Sequence, residues 1–328
     1  MQFKSNRRRF VTALSSVMVG LRTRPANAEP PPETTKIRLS QIAGICVAPQ
    51  YVAEDLLKSE GFTEVEYVNF IANPYPAFAA GKIDLHMAFV APFIVQADSD
   101  VPLAILGVVH VGCFELFGTE HINAIRDLKG KTVAIPERGS PHQLFVASMA
   151  AYVGLDPNRD IIFVTHPVSD SARLLADKKV DALMGFPPVP QELREKKIGH
   201  VIVNSGIDRP WSQYFCCTVV TTHEFIQKYP IATKRALRAI IKAADFCTSE
   251  PERAARIVAD RGYPYGYSLQ TMKEIAYAKW REYDPEDAVR FYALRLREAG
   301  MIKSSPNKII AQNTDWRFFN ELKRELKG

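Results

Sequence analysis

The chain has 328 residues, 47% hydrophobic and 24% charged, a globular composition long enough for two lobes of ordinary domain size. Its formal net charge of +6 sits entirely in the first 28 residues, where Lys4, Arg7, Arg8, Arg9, Arg22 and Arg24 occur with no acid. The remaining 36 Lys and Arg balance 36 Asp and Glu, which leaves no basic footprint and excludes a nucleic-acid partner.

Residues 1–28 have a basic start, an apolar stretch over 10–21, and Ala26-Asn27-Ala28. This is the layout of a secretory signal, too short in its apolar part for the roughly 20 residues that span a bilayer. Cleavage after Ala28 and a periplasmic location are expected. Arg7-Arg8-Arg9-Phe10 resembles the twin-arginine export pattern R-R-x-F; an ordinary secretory signal with one extra arginine is the other reading. Residues 29–35, with three prolines, read as a flexible leader.

From Lys36 strands and helices alternate. Strands are predicted over 37–39, 64–69, 84–88 and 102–110, with helices over 47–59 and 75–80. A second unit opens at Asp127-Leu128-Lys129-Gly130-Lys131, with strands over 132–135, 161–164, 181–184 and 201–203. Helices are predicted from Pro141 to Tyr152 and over 169–178. One more strand covers 213–221, and the rest reads as helices over 231–247, 251–261, 268–282, 285–299 and 315–326. The pattern predicts an α/β fold with a mainly parallel sheet and a helical C-terminal extension. Ligands of open α/β sheets bind beyond the carboxyl ends of the strands, which singles out the loops 41–46, 89–92, 136–142 and 185–188.

Ala80-Gly81-Lys82-Ile83-Asp84, Phe89-Val90-Ala91-Pro92, Leu128-Lys129-Gly130-Lys131 and Lys178-Lys179-Val180-Asp181-Ala182 occur in an order and spacing that resemble one family. It is that of the periplasmic substrate-binding proteins of ABC importers for nitrate, sulfonates and taurine. Binding proteins and synthases for thiamine-pyrimidine precursors share the superfamily. The resemblance implies a two-lobed, type II Venus-flytrap fold that closes on a small molecule and docks on a permease in the inner membrane, as a monomer. It places lobe one at 36–115 plus 215–328 and lobe two at 120–210, with hinge strands near 110–117 and 213–221.

The candidate ligand residues follow. Arg138-Gly139-Ser140 stands before a helix whose first turn holds Pro141, an arrangement that can bind a carboxylate or sulfonate or simply cap the helix. Phe89 and Phe93 are candidate apolar walls, Phe186 can stack on a ligand, Cys46 lies in the first cleft loop, and Trp211 and Tyr214, near the second crossover, could close the pocket. Glu115, among apolar neighbours, has three readings: a pair with Arg138, a ligand contact, or exposure on a hinge strand. His86 reads as a core histidine. As a set these residues suggest an organic anion with an apolar or aromatic part.

The five cysteines, Cys46, Cys113, Cys216, Cys217 and Cys247, match no zinc spacing and read as buried free thiols. In a strand, Cys216 and Cys217 would face opposite ways. No metal, cofactor or catalytic motif is expected. The alternative to a binding protein is an enzyme of the same fold, of which Cys216-Cys217 is a faint echo of the cysteine-rich motif of the thiamine-precursor synthases.

Overall fold

A computed structural model describes residues 29–69 and 75–326. The expected signal, 1–28, lies outside the described residues. No described helix is long and apolar enough to cross a membrane.

The chain runs β1 (Lys36–Gln41), a 3-10 turn (Ile45–Val47), α1 (Ala48–Val52), α2 (Glu54–Ser59), β2 (Glu64–Asn69), α3 (Tyr75–Ala79), β3 (His86–Phe89), α4 (Val90–Asp98), β4 (Leu103–Val111) and β5 (Glu115–Gly118). Next come β6 (Lys131–Ile135), α5 (Pro141–Tyr152), α6 (Pro157–Asp160), β7 (Ile161–Thr165), α7 (Val168–Ala176), β8 (Ala182–Gly185), α8 (Val189–Lys196), β9 (His200–Asn204) and β10 (Phe215–Thr222). The C-terminal third is helical: α9 (His223–Lys228), α10 (Pro230–Ser249), α11 (Pro251–Ala259), α12 (Tyr265–Glu274), α13 (Pro285–Glu298), α14 (Pro306–Asn313) and α15 (Arg317–Glu325). The fold is therefore two-lobed α/β with a helical extension, as the sequence predicts.

The sheets are more mixed than predicted. β1 and β2 pair in parallel, as do β6 with β7 and β6 with β8. β10 runs antiparallel between β3 and β4, and β5 runs antiparallel between β8 and β9. The exceptions are the strands that enter or leave a crossover, β5 and β10, each threading back between strands of the opposite sense. "Mainly parallel" is corrected to mixed.

Local chemistry explains most helix boundaries. Ser140, Asp156, Asp284 and Ser305 each cap a helix and precede a proline in its first turn. Three expectations fail for physical reasons. The loop read at 89–92 is the start of α4, because Pro92 falls in the first turn, where a missing N–H costs nothing. The helix predicted over 268–282 breaks at Ile275, which is extended, so that a 3-10 turn can bury Tyr277 and Trp280. The leader is not free throughout, since the Glu33 carboxylate accepts from the Ile231 and Ala232 amides, both at 2.9 Å, at the start of α10.

One apolar core runs through the described chain from Pro32 onward, and a smaller cluster of Phe117, Leu174, Leu175, Leu183 and Leu193 seats α7 and α8 on the five-stranded sheet. His86 is buried and bonds Ser40 through Nδ1, in agreement with its reading as a core histidine. Glu60 accepts from Arg238 Nε at 2.8 Å and Nη2 at 2.5 Å, joining α2 to α10. Glu60 also faces Arg235 at 3.9 Å and Lys242 at 3.7 Å, so removing it takes the buried carboxylate from a cluster of cations. Glu60→Ala should therefore lower unfolding free energy by about 3 kcal/mol in urea titrations; a loss within error of zero would show that Glu325, 3.6 Å from Arg238, suffices.

Candidate functional site

Two crossovers join the sheets, Gly112–Phe114 after β4 and 205–214 before β10. They run side by side. The Ser205 hydroxyl accepts from the Cys113 and Phe114 amides at 3.2 and 3.0 Å and donates to the Phe114 carbonyl at 2.8 Å. Gly112, at φ +52°, lies so close that a Cβ there would fall 2.2 Å from Cα of Gly206.

Over this junction the loops beyond β1 and β8 meet. The Ile45 amide donates to the Pro187 carbonyl at 3.0 Å, and a Cβ on Gly44 would come within 2.9 Å of the Phe186 ring. Phe186 is half-buried, tilted 35° against His142 at 5.0 Å and edge-on to Phe114 at 5.4 Å. Phe89 lies deeper, 5.1 Å from each of Phe114, Phe145 and Tyr292, so it supports the wall from behind. His142, at the end of the 136–142 loop but not among the predicted ligand residues, belongs here. Its ring is buried and Nδ1 has no hydrogen-bond partner. Only its place one residue after the Ser-Pro cap signalled it.

Two of the three readings of Glu115, a pair with Arg138 and exposure on a hinge strand, are replaced by a different partner. Glu115 is buried and bonds Arg194 of α8 and, at 3.3 Å, Asn204 Nδ2. Arg194 turns its other nitrogen to both carboxylate oxygens of Glu274 on α12, at 2.8 Å each. Gln191 adds a 2.9 Å bond to Glu274, and Tyr267 of α12 bonds Glu195. Burial raises the Glu115 carboxyl despite the adjacent guanidinium. Together these groups clasp α8 to α12.

The remaining predicted residues are dispersed. Arg138 and Gly139 are exposed, and the Gly139 amide donates to Gln143 Oε1 at 2.6 Å. Ser140 is buried and caps α5, accepting from the Gln143 amide at 3.4 Å. Trp211 is buried among Phe145, Tyr152 and Phe291, and Tyr214 stacks on Phe291 at 3.8 Å. Neither has a ring contact with Phe186 or His142 among those described. A surface depression lined by Thr119, Lys178, Lys197 and His200 lies at the far end of the five-stranded sheet, away from these loops.

Cys46 sits behind the first loop, in a cluster no sequence spacing signalled. All five cysteines are buried and free. The sulfurs of Cys46, Cys113 and Cys217 lie within 4.8 Å of one another, and Cys216 Sγ is 3.3 Å from Cys113 Sγ. The expectation that Cys216 and Cys217 face opposite ways fails because the β10 register slips on both sides of Cys217, a bulge that turns both thiols toward Cys113. Desolvation raises the Cys113 and Cys216 thiols well above the usual range. Cys217, although equally desolvated, is held low by the neighbouring thiols and His110.

Burial holds His142 at about 4 and His86 at about 3, below the ordinary 6.5. The folded chain therefore refuses protons that the unfolded chain accepts below pH 6.5. Stability from these rings is complete above that pH and is lost as pH falls toward the folded values. Between pH 6.5 and 5 unfolding free energy should drop by about 1 kcal/mol per pH unit for each ring. His142→Phe should reduce the slope measured in urea titrations by one ring's share; an unchanged slope would show that His142 titrates normally.

Residues 30–260 match the NMT1-like family. The nitrate/nitrite binding protein NrtA of Nostoc is 24% identical over 269 residues, 73% of this chain. The chain spans 60% of the length of that relative. The periplasmic nitrate-binding protein NrtA of Synechocystis superposes with a TM-score of 0.75 at 16% identity, over 91% of this chain and 90% of that one. The periplasmic aliphatic sulphonate binding protein SsuA of Escherichia coli gives 0.66 at 18% identity, over 84% and 91%. With the paired crossovers and facing loops described above, these likenesses identify the chain as a member of the NMT1-like family with the two-lobed fold of periplasmic binding proteins.

Proposed function

We propose that this protein is the solute-binding component of an ABC importer, exported to the periplasm and cleaved after Ala28, and that it captures a small organic anion. Residues 36–115 with 215–328 form one lobe and 120–210 the other, and the ligand sits where the 41–46 and 185–188 loops face each other. The observation that carries this reading is that meeting of loops: Ile45 bonds Pro187 and Phe186 closes over Gly44 above a two-crossover hinge. A ligand shifts opening and closing only through contacts that differ between the two states. Function then resides in closure, with delivery to a membrane permease, and requires no reaction.

Two further observations support an organic anion, such as a sulfonate or carboxylate with an apolar part. The start of α5, with Ser140 as its cap, directs amide dipoles toward the region where His142 meets Phe186. The Phe186, Phe114 and His142 rings offer more apolar surface than a bare inorganic ion would use.

Thermal-shift titration of the full chain with alkyl and aryl sulfonates, carboxylates and nitrate tests the reading, because a ligand raises the midpoint with its concentration. An organic anion should stabilise the protein and nitrate should not; the reverse would overturn the ligand class. Phe186→Ala should weaken binding about tenfold, the equivalent of about 1.4 kcal/mol, with little loss of stability. Phe89 is the poorer probe, since truncating a buried Phe costs about 3–5 kcal/mol of folding. Arg194→Met should also weaken binding and speed release, by removing the clasp.

A further inference from the structure

We propose that Cys46, Cys113, Cys217 and His110 form a structural zinc site that pins the crossovers to the first loop, directly behind the Gly44 side of the ligand cleft. The sulfurs of Cys46, Cys113 and Cys217 lie within 4.8 Å of one another. A tetrahedral centre with zinc–sulfur bonds of about 2.3 Å needs sulfurs about 3.8 Å apart. The three side chains therefore need only a small inward movement to share one ion.

The fourth donor is His110, which stands outside the trio of mutually close sulfurs and must swing inward to complete the site. His110 of β4 is the direct antiparallel partner of Cys217 on β10, so both side chains rise from the same face. Nδ1 of His110 lies 3.1 Å from the Gly112 carbonyl, which fixes the proton there and leaves Nε2 as the lone pair. That Nε2 is fully buried and makes no hydrogen bond. An imidazole held by a backbone carbonyl through one nitrogen, with the other open toward thiols, is the arrangement that metal-ligating histidines adopt.

The surroundings select the ion. The site is closed by Tyr277, whose hydroxyl donates to the Cys46 carbonyl at 3.1 Å and whose ring stands 5.2 Å from His110. In this dry setting excess charge is penalised. Three thiolates and a neutral imidazole around a divalent ion leave a single negative charge; a monovalent copper would leave two. Borderline-soft Zn²⁺ with a Cys₃His set is therefore favoured over Cu⁺. Cys216, 3.3 Å from Cys113, lies outside the trio and can donate its S–H to the Cys113 thiolate. With four protein donors the site has no open position, as in structural rather than catalytic zinc centres.

The test is metal titration of the full chain with its thiols reduced, using Zn²⁺ in competition with a chromophoric chelator and Co²⁺ as spectroscopic probe. One equivalent should bind, the cobalt form should show thiolate-to-metal charge transfer and tetrahedral bands, and the melting midpoint should rise with free Zn²⁺. Cys113→Ser and Cys217→Ser should each weaken uptake by at least about 100-fold. Cys247→Ser, on α10, and Cys216→Ser should retain one equivalent. A reduced wild-type chain that binds neither ion, or a cobalt complex without sulfur ligation, overturns the proposal even if some variants do not fold. So does full uptake by both Cys113→Ser and Cys217→Ser, or loss of uptake in Cys216→Ser alone.

Discussion

The contact on which the rest of the molecule depends is the one between the two crossovers. Backbone meets backbone at Gly112 and Gly206, and a single hydroxyl, that of Ser205, satisfies two amides and a carbonyl of the neighbouring segment. Buried amides with no partner would be costly, so this hydroxyl is what allows two chain passages to lie side by side between the sheets. β5 and β10 must then leave the junction antiparallel to their neighbours. The 41–46 loop follows β1 of the two-stranded sheet, which is bridged at Leu39 to Leu85 before β3, and the 185–188 loop follows β8 of the five-stranded sheet, so the junction sets how they face.

Much of the fold was legible in the sequence because its signals are local. The Ser-Pro and Asp-Pro starts of α5, α6, α13 and α14, and the alternation through β2, follow from capping and periodicity over a few residues. Misreadings arose where a tertiary demand overrode a local one. Ile275 is extended because Tyr277 and Trp280 must turn inward, and Cys216 escapes strand alternation through a bulge. Strand sense was illegible because parallel and antiparallel strands buried on both faces carry the same apolar run.

The candidate site was half legible. Phe186 and the Ser140 cap are loop and turn signals, and both stand where strand ends predict a ligand site. Aromatic identity alone could not separate wall from core. Phe89, Phe114, Phe145, Trp211 and Phe291 form a continuous chain of ring contacts, and only depth distinguishes Phe186 at its end from Trp211 inside. Long-range pairing was invisible as well. Nothing near Glu115 names Arg194, and nothing near Cys46 names Cys113 or Cys217.

The clasp between α8 and α12 is asymmetric. Glu115 and Arg194 both belong to the five-stranded sheet and the helix seated on it, whereas Glu274 approaches from α12. Glu115 thus holds the guanidinium aimed at Glu274, and the long side chain has little freedom left to lose in making that second contact. The inner contact is buried and shielded from electrolyte; the outer one, with Glu274 on the surface, is not. Ionic strength therefore acts mainly on one arm of the clasp, loosening the Glu274 contact without slackening the arginine that makes it.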